Sequence, residues 1–139
     1  MIDASEAGQR VLQPAGWPRP RGYANAIMAE GTVIVLAGQI GWDPDCRFAE
    51  GLPAQIGQAL ANIVALLAEA QAGPQHLVRL TWFVTDMRAW REQQSAIGAA
   101  YRAAIGKHFP TMSVIGVSQL VEPEAMVEIE ATAVLPRKD

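Results

Sequence analysis

From residue 56 onward apolar side chains recur at Ile56, Leu60, Ile63, Val64 and Leu67, the spacing of one helical face, while Gln58, Asn62 and Glu69 fall away from it. Pro53 stands where a first helical turn accepts proline, and Gly73-Pro74 supplies a stop. A second helix is predicted behind Asp86, a natural N-cap, with Trp90, Ile97, Tyr101 and Ala104 on one face and Gly106 at its end. Between the helices Leu80, Trp82 and Val84 alternate with Arg79 and Thr81, which predicts a strand over 77–84. Residues 32–37 are apolar nearly throughout and predict a strand buried on both faces. Residues 24–28 are β-like too, with Glu30-Gly31 between the two as a candidate hairpin turn. The last strands are predicted at 113–117 and 126–135. In the final one Val127, Ile129, Ala131 and Ala133 face one way, and Met126, Glu128, Glu130, Thr132 and Val134 the other.

The predicted order is β-β-β-α-β-α-β-β. The first strand is a short one near 10–12, inside a proline-bearing arm over 1–21. The 139 residues suit a single domain, 1–139. Two helices with one apolar stripe each cover one face of a mixed sheet and leave the other face bare. Half of the residues are hydrophobic and only 18% are charged, so the bare face calls for a cover, and a second copy of the chain is the simplest one.

Charge and motifs then narrow the chemistry. A net charge of −3 gives no basic footprint, and no aromatic residues interleave with a basic patch, so no nucleic acid is expected as a partner. No apolar run reaches membrane-spanning length and the polar start does not resemble a signal peptide, so no membrane partner is expected. Cys46 stands alone, which excludes an internal disulfide and fits a cytoplasmic setting. It follows the Asp43-Pro44-Asp45 turn with no base nearby, a poor setting for a nucleophile. There is no phosphate-binding glycine loop, no paired-cysteine zinc spacing and no nucleophile elbow. His76 and His108 sit at element boundaries, too isolated to suggest a metal pair, and no metal is expected.

Five segments, in order, carry a resemblance: Gly22-Tyr23-Ala24-Asn25-Ala26, Ala37-Gly38-Gln39-Ile40, Phe83-Val84-Thr85-Asp86, Phe109-Pro110 and Val127-Glu128-Ile129-Glu130-Ala131. Together they resemble the Rid (reactive intermediate deaminase, YjgF-like) family from about Gly22 to the end. The resemblance implies an α+β subunit of chorismate-mutase-like fold, two helices packed on one face of a mixed sheet. It also implies a homotrimer with a central barrel and small-molecule sites in the clefts between subunits. Family members hydrolyse enamines and imines and release ammonia, without a cofactor. An endoribonuclease activity has also been attached to the family, and the acidic balance of this chain gives it little support.

Residue by residue, the resemblance makes Glu128 the carboxylate that positions the hydrolytic water and Tyr23 the tyrosine that closes over the ligand. Gly38 becomes a backbone site near the ligand, Ser113 and Val114 lie beside backbone contacts, and Gln94 falls near a family asparagine. Met112 is the departure, because the family's deaminases carry there an arginine that grips the substrate carboxylate. A thioether has neither charge nor donor. Hydrogen bonds to charged groups contribute about 1.5–3 kcal/mol each. Losing an arginine fork should therefore weaken imino-acid binding by at least about a hundredfold. Either the ligand is less acidic and more apolar than 2-iminopropionate, or Met112 fills the cleft and closes it.

The same residues have plainer readings. Glu128 and Glu130 can be ordinary exposed carboxylates of one sheet face, and Tyr23 a packed strand residue. Gln94 either bonds a backbone group or reaches the cleft. Trp17 and Trp42, in loops, are pocket walls or interface plugs, whereas Trp82 and Trp90 are core by periodicity. Arg79 or Lys107 could supply a cation from another direction, although Arg79 also reads as a solvated strand residue. Two functions follow: hydrolysis of a small enamine or imine, weak on ordinary 2-imino acids, or a non-catalytic binding or interaction trimer.

Overall fold

The computed structural model describes residues 7–138; the first six residues of the predicted arm lie outside the described residues. Strands β3 (Thr32–Ile40), β4 (Leu77–Val84), β5 (Thr111–Gly116) and β6 (Val127–Leu135) form one sheet in the order β3-β6-β4-β5. β6 runs antiparallel to both β3 and β4, and β5 runs parallel to β4. That parallel pair needs a crossover, and α2 (Met87–Glu92) with α3 (Gln94–Ala104) supplies it. Helix α1 (Leu52–Glu69) connects β3 to β4 by way of a short 3-10 turn over Pro74–His76. α1 and α3 pack against each other, and the apolar stripes of both join one core cluster with the sheet.

The core sits between the helices and one sheet face. Ile56, Leu60, Ile63 and Leu67 of α1 are fully buried against Leu80, Trp82, Val84, Val127, Ile129 and Ala131. Full burial of a large aliphatic or aromatic side chain contributes about 1.5–3 kcal/mol, so this stripe dominates the packing energy. Inside α1, Gln55 is buried and makes two bonds to the far loop: its Nε2 donates to the Glu124 carbonyl, and its Oε1 accepts from Met126 N. Those bonds fix where β6 begins, and the apolar stripe gives no hint of them.

Three expectations need correction. The 32–37 strand is buried on one face only, for Val33 and Val35 are 60% and 77% exposed. β3 is an edge strand, and among the described residues no helix covers its second face. Glu30-Gly31 joins β2 (Ala26–Ala29) to β3, but these strands do not form a hairpin ladder. β2 pairs instead with β1 (Gln9–Leu12) in a separate two-stranded sheet. Gly73-Pro74 does not end α1; the helix stops at Glu69, where Gln71 takes a left-handed φ of 58° and Ala72 N bonds the Leu67 carbonyl. Glutamine is not a usual left-handed cap, so the sequence carries no sign of this stop.

The second predicted helix is divided. Asp86 caps α2 as expected, its carboxylate accepting from Ala89 N at 3.0 Å. At Gln93 the backbone leaves helical values, with φ −114° and ψ 28°. There the Trp90 carbonyl accepts from the Gln94 side-chain amide at 2.6 Å. A side chain that serves a helix carbonyl lets the backbone turn at that point.

Candidate functional site

The sheet separates the predicted site residues into groups. Met112 and Val114 of β5 face the helices and pack on the core cluster. With Tyr23 and Gln94 they line a cavity of about 510 Å³ between α3, the edge strand β5 and the segment after the arm. A cavity of that size suits one small molecule. Met112 forms part of its wall and leaves it open. Phe109 and Tyr101 stack at 5.4 Å beside it, and Trp82 and Trp90 meet edge to face at 5.3 Å. Burial pushes the Tyr101 phenol far above its ordinary pKa, so it stays a neutral donor, bonded to the His108 carbonyl at 2.5 Å.

Glu128, Gly38 and Ser113 lie elsewhere. Glu128 is half-buried on the sheet face that carries no helix. Its carboxylate lies directly over Gly38, where an added Cβ would come within 2.6 Å of the Glu128 carboxyl carbon. Only glycine at position 38 leaves room for this placement, so the sequence pair Gly38 and Glu128 is a structural pair as well. In register, Glu128 stands between Ile40 and Phe83, while Ser113 stands beside Thr81, in the row of Glu130. Ser113 thus shares the bare face with Glu128 without touching it across a common row. Within one chain, then, the carboxylate and the Met112 cavity are on opposite faces of the sheet.

The loop tryptophans are apart from both groups. Trp42 packs on Phe48 with ring centroids 5.6 Å apart, and Asn62 holds its carbonyl at 2.9 Å and that of Ile40 at 3.1 Å. Trp17 is 60% exposed in the arm, with its carbonyl reached by Gln13. Neither ring lines the cavity. Gln94 does, at its exposed rim, while its amide nitrogen is committed to the Trp90 carbonyl.

Sequence reasoning missed three contributors. Trp90 is a cavity wall, half-buried, rather than a core residue. Arg21 and Arg102 line the same cavity, whereas Arg79 and Lys107, the cations considered from sequence, do not. Arg102 was legible as the residue one turn after Gly98 on α3, but only the packing of α3 over β5 turns that face into a cavity wall. A larger hollow of about 800 Å³, lined by Gln9, Arg10, Met28 and Arg137 among others, contains none of the predicted residues.

The histidines are not isolated. His108 Nε2 bonds the Leu77 carbonyl at 2.8 Å, and His76 Nδ1 accepts from Gly73 N at 3.0 Å. Burial and then the neighbouring His108 charge lower the His76 pKa. Among the described residues no group of three potential ligands forms around them or elsewhere. No helix among the described residues is long and apolar enough to cross a membrane.

A mixed sheet with helices on one face, β5 on its edge and a cavity beside that edge defines a chorismate-mutase-like α+β protein. Comparison with known proteins narrows the class. A family model described as Endoribonuclease L-PSP matches residues 18–135. A RutC family protein of Synechocystis is 33% identical over 135 residues, which cover 91% of this chain and 97% of that protein. The 2-iminobutanoate/2-iminopropanoate deaminase of Salmonella typhimurium is 32% identical over 108 residues, 75% of this chain and 80% of the enzyme. Among solved structures, the Rid family protein YyfB of Yersinia pestis, itself of unknown function, matches with a TM-score of 0.82 at 34% identity. It covers 92% of this chain and 99% of its own. The chain belongs to the Rid family.

Proposed function

We propose that this protein is a homotrimer whose inter-subunit clefts take a small enamine or imine, hydrolyse it, and act weakly on ordinary 2-imino acids. The observation that carries this reading is the open cavity at Met112, apolar and aromatic where the deaminases of the family, by the resemblance, hold a carboxylate with arginine. The bare sheet face supports assembly: Val33, Val35 and Ile115 are 60%, 77% and 43% exposed there. A second copy laid on that face and the β5 edge would bring Glu128 of one protomer toward the Met112 cavity of another. Each site is then incomplete without its neighbour.

In such a cleft the chemistry is simple. Water adds to the carbon of the C=N bond while Glu128 takes a proton from it. Return of that proton to nitrogen gives a carbinolamine; its hydroxyl then gives up its own proton to the amine as the C–N bond breaks, which releases ammonia and leaves a carbonyl product. No cofactor enters. The acidic net charge gives no support to the nucleic-acid activity in the family model's description.

The test is ammonia release from freshly generated 2-iminobutyrate and 2-iminopropionate, wild type against Met112→Arg. Slow wild-type turnover with a gain of about a hundredfold in the variant is expected, from two restored charge-assisted bonds. Fast wild-type turnover would mean that another group holds the carboxylate. Inactivity of both would favour the non-catalytic binding trimer.

A further inference from the structure

The cavity beside Met112 has two guanidinium groups that the proposed reading does not use. Arg102 lies on α3, four residues after Gly98, and helical side chains lean toward the N-terminus over the preceding turn. Its Nη1 lies 3.2 Å from where a Gly98 Cβ would stand, so the guanidinium rests back over a glycine at the cavity wall. Arg21 approaches the same cavity from the segment before Tyr23. Among the described residues neither arginine has a carboxylate within salt-bridge distance, the one such pair being Arg88 with Glu92. Two unpaired cations beside an aromatic wall attract an anion that also carries a ring.

The aromatic end of the cavity rests on Trp82, which is 2% exposed and meets Trp90 edge to face at 5.3 Å. The strand wall, by contrast, offers the apolar Met112 and Val114.

We propose that the cavity binds an aryl-substituted carboxylate, its ring against Trp90, Phe109 and Met112 and its carboxylate on Arg102, with Arg21 beside it. The anion site has moved from the strand wall to the helical wall. An acid without a ring uses only the arginine wall, whereas an aryl-substituted acid uses the arginine and the aromatic walls together. This inference rests on the reading of the cavity as the ligand cleft, and it names the class of ligand that the cleft selects.

The experiment is isothermal titration of the full chain with 3-phenylpropionate, 3-phenylpropionamide and butyrate. Wild type is expected to bind the aromatic acid at least about tenfold more tightly than either the amide or the aliphatic acid, the effect of one charge-assisted contact. Arg102→Gln, at an exposed position, should erase the preference for acid over amide. Trp90→Ala should erase the preference for phenylpropionate over butyrate. Equal binding of acid and amide, a preference that survives both Arg102→Gln and Arg21→Gln, or no heat with any of the three at millimolar concentration would overturn the proposal. Ammonia release separates the two claims. A Met112→Arg variant active on 2-iminobutyrate, with no aromatic-acid binding by wild type, would sink this inference and leave the deaminase reading standing. Selective binding of the aromatic acid with no imine hydrolysis would do the reverse.

Discussion

The two faces of the four-stranded sheet are built from the same strands and have opposite fates. On one, Leu80, Trp82, Val127 and Ile129 are shut beneath α1 and α3. On the other, Val33, Val35 and Ile115 are open, and Glu128 sits half-buried over Gly38. Strand alternation makes both faces, but among the described residues only the first finds its partner. The difference teaches where function has room. Where α1 covers the sheet nothing more fits; the β5 end of the covered face, where Trp82, Met112 and Val114 line the cavity, and the bare face are the two places still able to accept something.

The strongest way to break this comparison is to truncate each face. Leu60→Ala, at a fully buried position of α1, should cost about 2–5 kcal/mol in a denaturant titration, equally at every protein concentration. Val35→Asp should leave the single-chain fold intact and abolish assembly. Light scattering would then read a mass near 14.9 kDa rather than three times that value. Wild-type stability should also rise with protein concentration, as it does when folded chains associate. A wild type that already runs as one chain at micromolar concentration would make the bare face something other than a subunit interface.

A smaller effect sharpens the role of Glu128. In Gly38→Ala the new Cβ would meet the Glu128 carboxyl carbon at 2.6 Å, so the carboxylate must swing aside. Its far end is flexible, and the stability cost should stay near 1 kcal/mol or below. If Glu128 places water, Gly38→Ala and Glu128→Gln should each lower imine turnover by about a hundredfold or more, measured in the Met112→Arg background. Unchanged turnover in both variants would make the Glu128–Gly38 contact a packing feature alone.

Much of this was written in the pattern of residues. The Ile56–Leu60–Ile63–Leu67 stripe, the Asp86 cap and the alternation along β4 and β6 depend on local periodicity, and local periodicity is legible. What escaped is non-local. The pairing of β1 with β2 across the proline-bearing loop leaves no mark in either strand. Gln55 looks like a solvated helix residue until the Glu124–Met126 segment folds over it. Trp90 fits a core stripe, and only the bend at Gln93 turns it toward the cavity rim. The candidate residues were found as a set by resemblance, but their division between two sheet faces follows from register, which a single chain does not announce. Arg21 and Arg102 escaped for the same reason: they are 81 positions apart in sequence and meet only at one cavity.

The smallest effect tests the closed side of the molecule, at its edge. His76 is disfavoured in its charged form first by burial and second by His108. Its folded-state pKa therefore lies below the ordinary value of 6.5. Between the folded and unfolded values the unfolded chain binds more protons, so stability rises with pH through that window. The stability is complete above about 6.5 and is lost as the pH falls through the folded value. His76→Asn keeps an acceptor near the position of Nδ1 and removes the titration. Melting temperatures taken from pH 7 down to pH 5 should fall less steeply for the variant than for wild type. Equal slopes would mean that His76 is solvated well enough to ignore its neighbour, and that the helix-covered side of the sheet is more open at Leu77 than its packing implies.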